Sequence, residues 1–200
     1  MNLTGFHVRT RPTTPGDMPV LEAIDLEADR TVGWRLHGEV LSPAARAASA
    51  WTSVLAQRLV IATDADEPAG YVTAYDANLR SGTVWLAVAS TEHHRGRGTL
   101  MAGVGLFLTE LFSQYPIRRC LAECAAENLG FYESVIAEGT FVVEGTFAGH
   151  HRRPDGSFTD VSLLAVERDH WMETWGRFVL RRVARHDNER NVDELRGLYA

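Results

Sequence analysis

Hydrophobic and polar positions along this chain repeat with two different periods, and the changes of period predict its secondary structure. Residues 83–89 are an apolar run rich in β-branched and aromatic side chains, which predicts a buried strand. From residue 100 to residue 112 apolar side chains recur at helical spacing, which predicts an amphipathic helix. Similar patterns predict strands at 6–11, 58–63, 70–75, 117–123, 139–151 and 157–167, and helices at 14–29, 42–57 and 128–136. This order predicts an α+β fold with a central mixed sheet.

The turn between the buried strand and the central helix contains Arg95, Gly96, Arg97 and Gly98. Glycines let the backbone approach a ligand closely, and the first N–H groups of a helix attract an anion. Arginines add charge-assisted hydrogen bonds to phosphate oxygens. The turn therefore indicates a pyrophosphate cradle, although a solvated basic turn is the alternative. Neither the Rossmann fingerprint nor a Walker loop is present.

Composition narrows the class of protein. The 200 residues, 45% of them hydrophobic, are enough for one globular domain with a sizeable core. A formal net charge of −6 argues against a general nucleic-acid binder. Cys120 and Cys124 form no disulfide framework or metal-binding pattern, and the chain shows no export signal and no apolar run of membrane-spanning length. We therefore expect a cytoplasmic protein with reduced cysteines.

The sequence Arg-Gly-Arg-Gly-Thr at 95–99 resembles the Arg-x-x-Gly-x-Gly/Ala loop of the GNAT superfamily (GCN5-related N-acetyltransferases), which holds the pyrophosphate of acetyl-CoA. It looks most like the branch of ribosomal-protein-alanine acetyltransferases. Leu100 departs from this pattern, because the family has a small residue there. The resemblance continues at 123–132, which is similar to the second CoA motif, and it covers roughly residues 6–171.

The resemblance implies a GNAT fold, with a central mixed, mostly antiparallel sheet flanked by helices. It also implies an acetyl-CoA-dependent N-acetyltransferase acting on an amine of a small molecule or on a protein amino terminus. Backbone groups along the buried strand would hold the pantetheine arm as an added strand would. Asn128 matches the asparagine that binds the CoA arm, although it could also cap a helix. The implied cofactor-binding set is Leu86, Ala87, Val88, Arg95, Gly96, Arg97, Gly98, Thr99 and Asn128.

Acetyl transfer needs a group that protonates the leaving thiolate and a group that accepts the amine's proton. We expect Tyr132 to be the general acid, with a packed core tyrosine as the alternative. Glu123, which ends a strand beside the expected thioester, is our first choice of base. Asp76 and Asp160 also lie on strands expected to line the cleft, although each acid could simply be solvated. No acid lies within 83–89, where many relatives have their base, so a water chain or an already neutral amine is an alternative.

Trp34, Arg35 and His37 lie where relatives close over the acceptor, so we expect them to select the substrate. His93 and His94 are adjacent and should point in different directions, which favours contact with an anion over chelation; we therefore expect no metal site.

One domain with a carboxyl-terminal extension is expected. Residues 1–168 would form the acetyltransferase domain, and residues 169–200 a helical extension that packs on this domain or on a partner subunit in a homodimer. Two other classes of function remain: a non-catalytic acyl-CoA-binding regulatory module, and a nucleic-acid binder, which the acidic net charge disfavours.

Overall fold

The computed structural model describes residues 7–29, 54–153 and 155–176. The strands in these ranges are β1 (Val8–Pro12), β2 (Val54–Ala62), β3 (Glu67–Asn78), β4 (Thr83–Ser90), β5 (Arg119–Ala125), β6 (Val142–Arg152) and β7 (Phe158–Glu167). The helices are α1 (Met18–Asp29), α2 (Thr99–Gln114), α3 (Glu133–Ala137) and α4 (Arg168–Trp171), with 3-10 turns at Pro15–Asp17 and Ala126–Tyr132 and a π-helical turn at Met172–Gly176. Within these ranges, no helix combines the length and the apolarity that a membrane crossing requires.

The described strands form one sheet in the order β1-β2-β3-β4-β5-β7-β6. Neighbouring strands run antiparallel except β4 and β5, which run parallel. Parallel neighbours need a crossover connection, and α2 provides it. The predicted α+β fold, with a mixed, mostly antiparallel sheet flanked by helices, is therefore confirmed.

The parallel pair opens towards its carboxyl ends. β4 and β5 are paired only where residues 83–85 face residues 119–121. Beyond these positions, residues 86–90 pair with β3 alone and residues 122–125 pair with β7 alone. At about 3.3 Å per residue, the strands diverge over roughly 15 Å. We call the opening between 86–90 and 122–125 the gap.

One face of the sheet is covered by α2. The buried side of this helix includes Val104, Phe107 and Leu108, which pack with β-strand residues into the main core. The helix lies so close to β2 at Gly103 that a Cβ atom there would be 2.4 Å from Val60 Cγ1. On the opposite face, α1 contributes a smaller cluster with β2 and β3. The core therefore fixes the start of α2 next to the end of β4.

Two predicted elements differ from the structure. The predicted helix at 42–57 is wrong over its last four residues, because β2 begins at Val54 and pairs there with Tyr75 of β3; residues 42–53 lie outside the described residues. The predicted helix at 128–136 is a 3-10 turn up to Tyr132, followed by the short α3.

The described part of the carboxyl-terminal extension packs on its own chain. The buried Trp171 donates its indole N–H to Thr109 Oγ1 at 3.1 Å, and Trp175 donates to Thr140 Oγ1 at 2.8 Å. The two indole rings stack with centroids 6.4 Å apart. Residues 177–200 lie outside the described residues, so the role of the whole extension stays a prediction.

Candidate functional site

The turn that precedes α2 lies at one side of the gap, and we call residues 92–98 the glycine turn. It consists of overlapping tight turns, in which His94 N–H donates to Thr91 O at 3.2 Å and Arg97 N–H donates to His94 O at 3.3 Å. Gly96 and Gly98 have φ values of 73° and 80°. L-residues with a side chain rarely adopt this left-handed conformation, so the two glycines permit the turn.

The amino end of α2 continues directly from this turn. Gly98 is the N-cap residue, and no side chain caps the helix there. Its carbonyl accepts the N–H of Ala102 at 3.0 Å, as in the first regular helical turn. The first N–H groups of a helix have no intrahelical acceptor and lie at the positive end of its dipole. With Arg95 and Arg97 in the same turn, this end of the gap can bind a doubly charged phosphate group.

Leu100, the departure from the family pattern, packs against β3. Its Cδ1 would be 2.9 Å from a Cβ atom on Gly70, so the leucine occupies space that a glycine on the neighbouring strand leaves open. Leu100 is partly buried against the main core. The larger residue is therefore accommodated by the sheet.

The β4 side of the gap contains Leu86, Ala87 and Val88. The side chains of Leu86 and Val88 pack towards the main core under α2, and strand alternation places Ala87 on the opposite face. Side chains therefore point to the two faces of the sheet, while the backbone forms the edge towards the gap. This is the arrangement that pairing with an extended ligand requires.

The β5 side of the gap brings Tyr132 close to Cys124. Burial, and secondarily the nearby Cys124, raises the pKa of the Tyr132 hydroxyl, so the phenol is protonated at neutral pH. Burial, and then Glu127, raises the pKa of the Cys124 thiol to about 12, which argues against a thiolate nucleophile here. The Tyr132 ring also packs on Phe141, with centroids 5.7 Å apart. The ring is therefore packed against the core, and the Tyr132 hydroxyl has a proton to donate, as tyrosines ordinarily do at neutral pH, while burial makes it a weaker acid.

Asn128 lies in the 3-10 turn that follows β5. The N-cap of this turn is Ala125, so the alternative of Asn128 as the cap is wrong. Its half-buried side chain makes no hydrogen bond to another described residue. The amide is therefore available for a ligand on this side of the gap.

The three predicted acids occupy different places. Glu123 lies on β5 within the gap, and strand alternation places it on the face opposite Cys124. Asp160 accepts a hydrogen bond from Gly149 N–H at 2.8 Å, and this bond supports an irregularity between β6 and β7. Asp76 is exposed beyond the Tyr75–Trp85 pair, at the end where β4 and β5 are joined. The structure therefore brings only Glu123 to the gap. Trp34, Arg35 and His37 lie outside the described residues.

Two contacts near the gap have no local sequence signal. Phe131 is about half exposed, and its Cε1 would be 3.4 Å from a Cβ atom on Gly96, so the 3-10 turn approaches the glycine turn across the mouth of the gap. Glu127 binds Arg153 through two hydrogen bonds of 3.0 and 3.2 Å and accepts one from Thr159 Oγ1 at 2.7 Å. The hydrogen bonds from Arg153 and then Thr159 lower the pKa of Glu127 to about 2. These bonds attach the 3-10 turn at Ala126–Tyr132 to the β6–β7 hairpin.

No protein-family model and no curated protein sequence matches this chain. Solved structures do match it. A spermidine N-acetyltransferase from Vibrio cholerae in complex with CoA and spermine superposes with a TM-score of 0.67 at 15% identity, over 83% of this chain and 98% of that chain. A dodecameric spermidine N-acetyltransferase from the same organism gives a TM-score of 0.67 at 16% identity, over 83% of this chain and 96% of that chain. The chain therefore has the fold of GNAT-type N-acetyltransferases.

Proposed function

We propose that this protein is an acetyl-CoA-dependent N-acetyltransferase whose acceptor is an amine of a small molecule. The observation that supports this most is the gap between β4 and β5. One end of the gap has a glycine turn and a helix amino terminus, and Tyr132 lies close to Cys124 of the β5 wall. A long ligand with a charged diphosphate at one end and a reactive thioester at the other fits this polarity.

The cofactor would bind in two parts. Its pyrophosphate would accept hydrogen bonds from the backbone of Gly96, Gly98 and Thr99, and Arg95 and Arg97 would add charge. The pantetheine arm would form hydrogen bonds with the edge of β4 along residues 86–88, which β5 leaves open. The Asn128 amide would bind the same arm from the β5 side. The thioester would then lie near Tyr132.

The reaction requires mainly that the protein position the amine against the thioester and provide groups for two proton transfers. The neutral amine attacks the thioester carbonyl, a C–N bond forms, and the C–S bond breaks as the electron pair leaves on sulfur. Tyr132 would protonate that sulfur, and the amine's proton would pass to Glu123 or to water. Holding the two reactants in contact supplies a large part of the rate.

The class of acceptor is suggested by two lines of likeness. The matched solved structures are named as spermidine enzymes, one of them with spermine bound, which favours a small polyamine. The sequence resemblance to ribosomal-protein-alanine acetyltransferases favours a protein amino terminus instead. Trp34, Arg35 and His37 stay our candidates for selecting between them. A cytoplasmic location, where acetyl-CoA is available, and self-association into at least a homodimer are part of the proposal.

A second candidate is a regulatory module that binds acyl-CoA without turnover. It is favoured by the composition of β4, whose eight residues contain no carboxylate that could serve as a base. The two candidates agree on cofactor binding and differ only in catalysis.

The experiment measures binding and turnover separately. Calorimetry with acetyl-CoA should show saturable binding, and thiol release should be measured with spermidine, spermine and peptides with a free amino terminus. Amine-dependent thiol release supports the enzyme, whereas binding without release on any amine supports the module. Absence of acetyl-CoA binding would overturn both.

A further inference from the structure

Two adjacent histidines at the start of the glycine turn converge on a glutamate that is distant in sequence. His94 Nε2 lies 2.9 Å from Glu67 Oε1, and His93 Nε2 lies 3.7 Å from the same oxygen. The three donor atoms all lie within 4.8 Å of one another. We propose that Glu67, His93 and His94 form a binding site for a divalent transition-metal ion, with Zn²⁺ as the best match for two imidazoles and one carboxylate.

The expectation that adjacent histidines diverge does not hold in this turn. The two imidazole planes are at 88° to each other with centroids only 4.9 Å apart, so the rings reach Glu67 from two directions. The tight turn bends the backbone between them, because the N–H of His94 donates to Thr91 O at 3.2 Å. The fold of the turn therefore brings both Nε2 atoms close to Glu67 Oε1.

The distances suit a tetrahedral ion. Tetrahedral bonds of 2.0–2.2 Å separate neighbouring donors by about 3.4 Å. The two separations from Glu67 Oε1, 2.9 and 3.7 Å, lie on either side of that value, and the two histidine donors lie within 4.8 Å of each other. The remaining adjustment falls on His93, whose side chain is 63% exposed and can rotate. Arg97 Nη1, 3.5 Å from His93 Nε2, lies on an exposed side chain that can move away from a cation. Three protein ligands leave a fourth position for water.

The backbone around the site is already ordered. Thr91 N–H donates to Ala69 O at 3.1 Å, which ties the turn after β4 to the beginning of β3, two residues from Glu67. His94 is buried, so its ring has little freedom to leave the carboxylate. Little backbone conformational entropy is therefore lost when the ion binds.

One feature of His94 limits the affinity. Its Nδ1 atom is buried and has no hydrogen-bond partner among the described residues. A metal on Nε2 places the ring's proton on Nδ1, where histidine ligands normally have an acceptor, and loss of such an acceptor weakens binding by roughly 10–100-fold. We therefore expect a site weaker than a structural zinc site.

The test uses the full chain without a histidine tag, titrated with Zn²⁺ alone by calorimetry and with Co²⁺ followed by visible absorption. We expect one ion per chain. His93→Ala and Glu67→Gln should each weaken binding at least 10-fold. His150→Ala removes an exposed histidine on β6 and should leave the affinity unchanged. His93→Ala is preferred to a change of the buried His94, because it leaves the packing of the turn intact.

Binding that is equally strong in all variants, or no saturable binding below millimolar Zn²⁺, would overturn the proposal. Either result would leave His94 as a residue that only anchors Glu67 to the turn. An anomalous-scattering peak between the three donor atoms would support the site directly. None of these measurements depends on acetyl-CoA, so a failure here is distinct from a failure of the proposed function.

Discussion

The close approach of α2 to β2 predicts opposite effects for two glycines in the same helix. A Cβ atom on Gly103 would be 2.4 Å from Val60 Cγ1 and 2.7 Å from Cγ2, whereas one on Gly105 would have its nearest neighbour, Trp171 Cη2, at 3.9 Å. Carbon atoms in contact prefer about 3.5–4.0 Å, so Gly103→Ala must move the helix or the strand by about 1 Å. Gly105→Ala needs no movement.

The magnitudes follow from two opposing terms. Alanine in a helix interior is favoured over glycine by about 1 kcal/mol, and this gain applies to both variants. Overpacking a rigid core costs about 1–3 kcal/mol or more and applies only at Gly103, because Val60 is fully buried. We therefore expect Gly103→Ala to lose about 1–2 kcal/mol of unfolding free energy and Gly105→Ala to gain about 0.5–1 kcal/mol.

Urea and thermal unfolding, each followed by circular dichroism, compare both variants with the wild type. A difference of about 2 kcal/mol between them should separate their Tm values by roughly 4–8 °C in a chain of this size. If both variants shift in the same direction, or if Gly103→Ala is as stable as the wild type, α2 does not lie on β2 as described. The position of the glycine turn would then also need revision, since α2 determines it.

The other predictions concern the two sides of the gap. Gly98→Glu and Gly98→Gln both place a side chain on a residue with a left-handed backbone, so both variants have the same strain. Only glutamate adds a negative charge, and at about 5 Å from a phosphate charge this repulsion costs roughly 1–3 kcal/mol of binding free energy. Calorimetry should therefore show acetyl-CoA binding roughly 5-fold weaker or more in the glutamate variant than in the glutamine variant, and equal affinities would contradict an anion at this turn. Tyr132→Phe should lower kcat by about 100-fold in the thiol-release assay with unchanged acetyl-CoA affinity, and an unchanged kcat would exclude Tyr132 as the acid. Glu127→Gln should lose about 1 kcal/mol of unfolding free energy at pH 7, a value reduced for partial exposure. Because Arg153 lowers the folded pKa of Glu127 to about 2, this contribution is present above the unfolded pKa and disappears as the pH falls through about 2. A stability difference that stays constant between pH 6 and pH 2 would contradict the role of this carboxylate.

The glycine turn and α2 could be predicted from the sequence because their signals are local. Gly96 and Gly98 stand within three residues of each other, and the apolar face of α2 repeats over four turns of helix. The order of most strands along the chain followed from the same short-range patterns, whereas the order of the strands within the sheet did not. By contrast, the alanine-rich segment before β2 favoured a helix, and only pairing with Tyr75 on β3 decides that residues 54–57 are a strand. A short stretch of sequence does not show which distant strand it will pair with.

The residues that the sequence did not reveal depend on such distant contacts. Glu67 is 27 residues before His94 and reaches it only because β3 and β4 form a hairpin. Arg153 is 26 residues after Glu127, and the register of β6 and β7 brings them together. Asp76 and Asp160 were expected near the cleft because they lie on strands that were expected to line it. The sequence does not say which end of a strand faces the opening, and here Asp76 lies at the closed end.

The gap between β4 and β5 is not explained by backbone hydrogen bonding, which would favour continued pairing of the two strands. Residues 86–90 and 122–125 each have one edge without a strand neighbour among the described residues, although β4 and β5 are already aligned at residues 83–85. Continuing the ladder would add several backbone hydrogen bonds, each with a net contribution of about 1 kcal/mol. Instead, each wall is bonded elsewhere: Thr91 N–H donates to Ala69 O on the β4 side, and Arg153 donates to Glu127 on the β5 side. A fold that forgoes this pairing is expected where a ligand's own polar groups complete it, since breaks in local regularity concentrate at functional sites. This reasoning connects the divergence of the strands to the extended cofactor that we propose.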